Sequence, residues 1–83
     1  MENIPQLKKI PVAMTKNAFA KLCNPVPEEK VRARINLIIY DARKNQRENI
    51  GKSQAQIIRT HYIERREMIE YFETYGLPEG YQL

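Results

Sequence analysis

Apolar residues along this chain fall in short groups at helical spacing, separated by polar stretches. Ala18, Phe19, Leu22 and Cys23 share one face of a helix of two to three turns. Thr15 stands ahead of them as an N-cap, its hydroxyl placed to accept from a free amide of the first turn. Asn24-Pro25 ends the run. A second helix opens at Pro27, where a proline suits the first helical position, and Glu28 and Glu29 suit the positive end of the helix dipole. Val31, Ile35 and Ile38 supply its buried stripe, with Lys30, Arg32 and Arg34 on other faces. Residues 15–34, TKNAFAKLCNPVPEEKVRAR, thus read as helix, turn, helix.

The extent of the second helix is open. Residues 35–40, INLIIY, are dense in β-branched and aromatic side chains and read equally as a helix end followed by a strand. Residues 41–56 are polar, with a turn at Gly51. Residues 57–63, IIRTHYI, are again strand-prone. Glu64 to Tyr75 reads as a helix with Met68, Ile69, Phe72 and Tyr75 on its apolar face. Gly76 suits its left-handed exit, Leu77 the accompanying apolar contact, and Pro78 the stop.

Two architectures fit this pattern. In the first, strands near 36–40 and 57–63 pair around an exposed basic loop. Helices at 16–23, 27–35 and 64–75 complete a small α+β winged helix-turn-helix, three helices with a two-stranded hairpin. In the second, residues 27–48 and 54–75 are two long helices packed as an all-α hairpin. Ser53 and Gln56 at capping-box spacing support it, as does the 3-4 spacing of Ala55, Ile58, Tyr62, Ile69 and Phe72. The clusters of Ile, Thr and Tyr favour the strands. The expected organisation is an extended basic arm over 1–14, the winged domain over 15–77 and a tail over 78–83. Pro5 and Pro11 disfavour helix in the arm, where Ile10 and Val12 could tuck back as a short strand or core plug.

Composition narrows the function classes. At 83 residues, of which 42% are hydrophobic, the chain is one small folded domain. Fourteen Lys and Arg against ten Asp and Glu leave a net charge of +4, which favours a polyanionic partner. The single cysteine, Cys23, excludes an internal disulfide and a cysteine-based zinc site. Cys23 reads most simply as a buried small apolar residue. No signal peptide or membrane-spanning run is visible, so a cytoplasmic location is expected.

The helix-turn-helix reading carries the sharpest chemistry. A first helix braces a second, which enters the ~12 Å major groove. Val31 and Ile35 serve the bracing. Lys30, Arg32, Arg34 and Asn36 are the candidate groove residues, because Arg matches guanine O6 and N7 and Asn matches adenine N6 and N7. The turn lacks a glycine, and Glu28 and Glu29 give an acidic start to the helix that approaches phosphates. In the loop, Arg43, Lys44, Arg47 and Lys52 are candidates for phosphate contacts. The expected partner is double-stranded DNA, with self-association on DNA as an addition. Neither a membrane nor a small-molecule substrate is expected.

The remaining polar residues read as structural. His61 has no second ligand at metal spacing and no catalytic partner. Glu64, Glu67, Glu70 and Glu73 repeat every three residues and read as a solvated helix face with ion pairs. The apolar and aromatic C-terminal group, Tyr71, Phe72, Tyr75, Leu77, Tyr81 and Leu83, reads as core packing, with a dimer or filament contact as the alternative. No catalytic set, cofactor or metal site emerges, so the expected protein is not an enzyme. The competing function is an all-helical protein–protein interaction module, an adaptor or inhibitor.

FAKLC, a turn, and then EEKVRARI is similar to the opening of phage excisionases and related small winged-helix regulators, some of them close to MerR-type DNA-binding domains. RTHYIERREMIEYF looks like the family's last strand running straight into a closing helix. The resemblance covers roughly residues 14–75 as a pattern. It implies a recombination directionality factor or a lysogeny-related repressor that binds direct repeats and bends DNA. By position it would put Glu29, Lys30, Arg32 and Arg34 on the recognition helix, and Arg43, Lys44 and Arg47 on the wing. The usual Gly-Lys-Leu-Pro style exit before the wing is absent.

Overall fold

The computed structural model describes residues 8–78 and 80–82. Within them the chain is a small α+β fold of four α-helices and two two-stranded sheets. In chain order the elements are β1 (Lys8–Lys9), β2 (Ala13–Thr15), α1 (Lys16–Leu22), α2 (Glu28–Arg43), α3 (Gln54–Ile57), β3 (Tyr62–Glu64), α4 (Arg65–Tyr75) and β4 (Tyr81–Gln82). A 3-10 turn spans Arg47–Asn49.

β2 and β3 each run straight into the helix that follows them. β2 runs antiparallel to β3, with Ala13 opposite Glu64, Met14 opposite Ile63 and Thr15 opposite Tyr62. Both strands lead directly into helices, and because they run antiparallel α1 leaves the ladder beside the start of β3 while α4 leaves it beside the start of β2. Thr15 caps α1 as expected, its hydroxyl accepting from the Ala18 amide at 3.1 Å. β1 lies parallel to β4 and draws the two ends of the described chain together. Of the expected arm over 1–14, residues 1–7 lie outside the described residues. In the remainder, Ile10 is buried while Val12 is 80% exposed.

The core forms where α1, α2 and α4 meet. Phe19, Ala20 and Cys23 from α1 and its exit pack with Val31, Ile35, Ile38 and Ile39 of α2. Met68, Tyr71 and Phe72 of α4 close it from the other side, with Ile63 and Ile10. Phe19 meets Tyr71 edge-on at 5.0 Å between ring centroids and lies 5.5 Å from Phe72. The buried face of α4 is therefore Met68, Tyr71 and Phe72. Tyr75, expected on that face, is 45% exposed.

Three expectations are corrected. Residues 36–40 form no strand: α2 continues unbroken to Arg43. The β-branched residues there that favoured a strand, Ile38 and Ile39, join Val31 and Ile35 at helical spacing in one core. Burial on a single helix face outweighs their local strand preference. The second strand is confined to Tyr62–Glu64, and it pairs with β2, so no wing hairpin brackets the loop after α2. The all-α alternative fails as well, because the stretch 54–75 breaks between α3 and α4. Its capping box is real but serves only the four-residue α3. The Ser53 hydroxyl accepts from the Gln56 amide, and the Gln56 side chain accepts from the Ser53 amide at 2.9 Å.

The fourth departure concerns charge. Glu67 does not lie on a solvated face; it is fully buried. Arg43 turns inward from the end of α2 to meet it, donating from Nε to Oε2 at 2.7 Å. Nearby, the Asn49 side-chain amide donates to the Arg43 carbonyl at 3.0 Å, which satisfies an end carbonyl of α2. Gly76 takes a positive φ of 97° at the exit of α4, where a side chain would be strained.

Candidate nucleic-acid interface

Helical geometry divides the expected basic residues of α2 between two flanks. At 3.6 residues per turn, Arg32 and Arg34 point about 200° apart, whereas Arg32 and Asn36 lie one turn apart on the same side. Lys30 and Arg34 share the opposite flank. Lys30 is exposed there. Arg34 stacks over the Tyr75 ring, its guanidinium carbon 4.2 Å from the centroid.

The Arg32 flank faces the start of α1. Arg32 donates from Nη2 to the Asn17 side-chain oxygen. One turn further, the Asn36 side-chain oxygen accepts from the Lys16 ammonium at 2.6 Å. Lys16 also donates from its ammonium to the Ile58 carbonyl, fastening the exit of α3 to the same corner. The strand register completes the group. Because Thr15 faces Tyr62, the next pair along brings Lys16 beside His61, and the Lys16 amide donates to the His61 carbonyl at 2.9 Å.

Thr15, Lys16, Asn17, Arg32 and His61 thereby line a recess of about 400 Å³. No carboxylate lines it. Desolvation by burial, then the charges of Arg32 and Arg43, hold the Lys16 ammonium below its ordinary pKa, against a smaller opposing pull from Glu67. The buried Glu67 is engaged by Arg43, so Lys16 and Arg32 remain as adjoining cations without a carboxylate of their own among the described residues. Such a corner suits an oxyanion, which would relieve the repulsion between them.

The loop candidates are dispersed. Arg43 is withdrawn into its pair with Glu67 and is not free to reach a phosphate. Lys44 leans over Tyr40, 5.6 Å from its ring centroid, and pairs with Asp41 at 3.4 Å. Arg47, in the 3-10 turn, and Lys52, past Gly51, are exposed. Sequence reasoning passed over Lys16, Asn17 and His61. The polar Thr-Lys-Asn start of α1 was a usable signal, but the approach of His61 depends on the β2–β3 register.

The other reactive side chains are muted. Burial pushes the Cys23 thiol up to about 11, so it stays protonated and a poor nucleophile at neutral pH. Among the described residues no three His, Cys, Asp or Glu converge as a metal-binding group, and no helix is long and apolar enough to cross a membrane. Comparison with protein-family models, curated proteins and solved structures finds no match to this chain.

Proposed function

We propose that this chain is a non-catalytic, sequence-specific binder of double-stranded DNA, a small helix-turn-helix regulator or excisionase that uses the loop after α2 in place of a hairpin wing. The observation that carries the reading is the cationic recess, where Lys16, Arg32 and His61 from three separate segments converge with no carboxylate in the lining. In this reading α1 and α2 act as the helix-turn-helix, and a backbone phosphate occupies the recess. Arg32 and Asn36 form the edge of α2 that approaches the bases, preset by their bonds to Asn17 and Lys16. Arg47 and Lys52 add phosphate contacts from the loop that stands where a wing would be. Glu28 and Glu29 are exposed and do not line the recess, although Glu28 stands one turn before Arg32 on the same flank.

The competing reading, an all-helical interaction module, rested on a helical hairpin that is interrupted between α3 and α4.

The test is binding to a randomised duplex pool followed by salt titration on the selected sequence. The logarithm of affinity should fall linearly with the logarithm of salt, by about 0.9 per phosphate contacted. Arg32→Ala should weaken binding and flatten that slope by about one unit. Arg34→Ala, on the far flank, should leave the slope unchanged. Binding that ignores salt, or no binding to any duplex, overturns the proposal.

A further inference from the structure

The edge of α2 that carries Arg32 and Asn36 presents hydrogen-bond donors whose companion oxygens are already engaged. Asn36 accepts through Oδ1 from the Lys16 ammonium at 2.6 Å. An ammonium can only donate, so this bond fixes which way the Asn36 amide is turned and leaves Nδ2 as its free end. Arg32 carries donors alone, and the Asn17 side-chain oxygen is engaged by its Nη2.

The free donors are open to a ligand. Neither Asn36 Nδ2 nor the other side-chain nitrogens of Arg32 bond to any described residue. None of them is shut off from solvent; among the described residues only the Tyr71 hydroxyl is buried without a partner. Lys16 spends two of its three ammonium donors, on Asn36 and on the Ile58 carbonyl. Along this flank of α2 the free acceptor is the exposed Glu28 carboxylate. It stands about 12 Å along the helix axis from Asn36, too far to serve the same base.

This pattern discriminates between the purines. Pairing of Asn with adenine uses both ends of the amide, Oδ1 accepting from N6 and Nδ2 donating to N7. Here Oδ1 is held by a cation. Its second lone pair lies beside the ammonium, where the adenine amino group would crowd a further donor. Guanine instead presents O6 and N7, two acceptors side by side. A free Nδ2 group next to a positive charge suits that edge, as does the Arg32 guanidinium.

Granting the DNA reading, on which this step rests, we propose that Lys16 is a positioning residue that turns Asn36 from an adenine reader into a guanine reader. Lys16 acts by holding the Asn36 amide. Arg32 reads a second guanine one or two base steps away, since four helical residues advance about 6 Å against about 3.4 Å per base. The preferred site therefore carries two guanines on this edge of the major groove.

The test is selection from a randomised duplex pool with the full chain, repeated with Asn36→Ala and Lys16→Met. Asn36→Ala maps the position, because preference should vanish there and persist elsewhere. At that position the unaltered chain should favour guanine over adenine by about fivefold or more. Lys16→Met frees Oδ1, so the preference should move to adenine. Loss of a merely structural bond would weaken binding to every sequence without changing the base chosen. A measurement on the unaltered chain stands beside the variant. Placing 7-deazaguanine, which lacks the N7 acceptor, at the mapped position should weaken binding about two- to tenfold. Four results overturn the proposal and leave the DNA reading standing on salt-dependent duplex binding. They are adenine chosen by the unaltered chain, no position mapped by Asn36→Ala, guanine still chosen by Lys16→Met, and no loss with 7-deazaguanine. Absence of binding to any duplex overturns both.

Discussion

Arg43 and Glu67 form a two-pronged pair: Nε donates to Oε2 at 2.7 Å and Nη2 donates to Oε1 at 2.8 Å. Glu67 is fully buried, and the Arg43 side chain is 14% exposed. The same carboxylate accepts from the Glu64 amide at 2.9 Å, satisfying a backbone donor at the start of α4. Arg43 Nη2 also reaches the Tyr62 carbonyl at 3.3 Å. One pair therefore ties the end of α2 to the β3–α4 junction.

Removing either partner strands the other in a low-dielectric interior. Glu67→Leu and Arg43→Met should each lower unfolding free energy by about 3 kcal/mol or more in urea titrations. The double variant should recover most of that loss, since apolar replacements of a buried pair are often tolerated. Single variants costing under about 1 kcal/mol would mean that solvent already screens the pair.

Alkaline pH should destabilise the fold through Cys23 and Tyr71. Burial raises the Cys23 pKa from 9.0 to about 11 and moves Tyr71 in the same direction. Between the unfolded and folded values the unfolded chain holds fewer protons, so stability falls as pH rises. The fall from Cys23 should run from about pH 9 to about pH 11. Lys16 acts in the opposite sense, because its folded pKa is lowered. Melting temperature measured from pH 8 to 11 should therefore decline, and Cys23→Ala should decline less steeply. An equal decline in the variant would assign the effect elsewhere.

Lys16 links three segments through its ammonium and amide, to Asn36, Ile58 and His61. Lys16→Met keeps the side-chain length but leaves the Ile58 carbonyl and Asn36 without that donor. A cost of about 1–2 kcal/mol is expected, as for unpaired, partly buried polar groups. Amide hydrogen exchange should quicken most between Arg59 and His61, where the chain loses its anchor to α1. Uniform exchange changes would point instead to a global effect.

The α1 cap should behave as an ordinary N-cap. Thr15→Ala removes the bond to the Ala18 amide and should cost about 1 kcal/mol in thermal or urea unfolding. Thr15→Ser, which keeps the hydroxyl, should retain most of the stability.

Local patterns in the chain determined much of the frame. Thr15 and Ser53 act as caps because a hydroxyl before a helix meets free amides whatever lies beyond it. The Phe19–Cys23 face, the Val31–Ile35–Ile38 stripe and the Asn24–Pro27 turn were legible for the same reason. Each depends on neighbours within a turn or two of chain. The end of α2 was not legible, since INLIIY satisfies a strand or a helix until Phe19, Met68 and Phe72 present a surface that accepts one face of it. The candidate sites show the same division. The sequence supplied basic residues but not their directions. Tertiary contacts alone withdrew Arg43 onto Glu67, set Arg34 on Tyr75, and brought Lys16, Arg32 and His61 to one corner. The physical reason is range: capping and periodicity act over a few residues, whereas charge pairing and strand register join positions more than twenty apart, and only the packed chain specifies those distances.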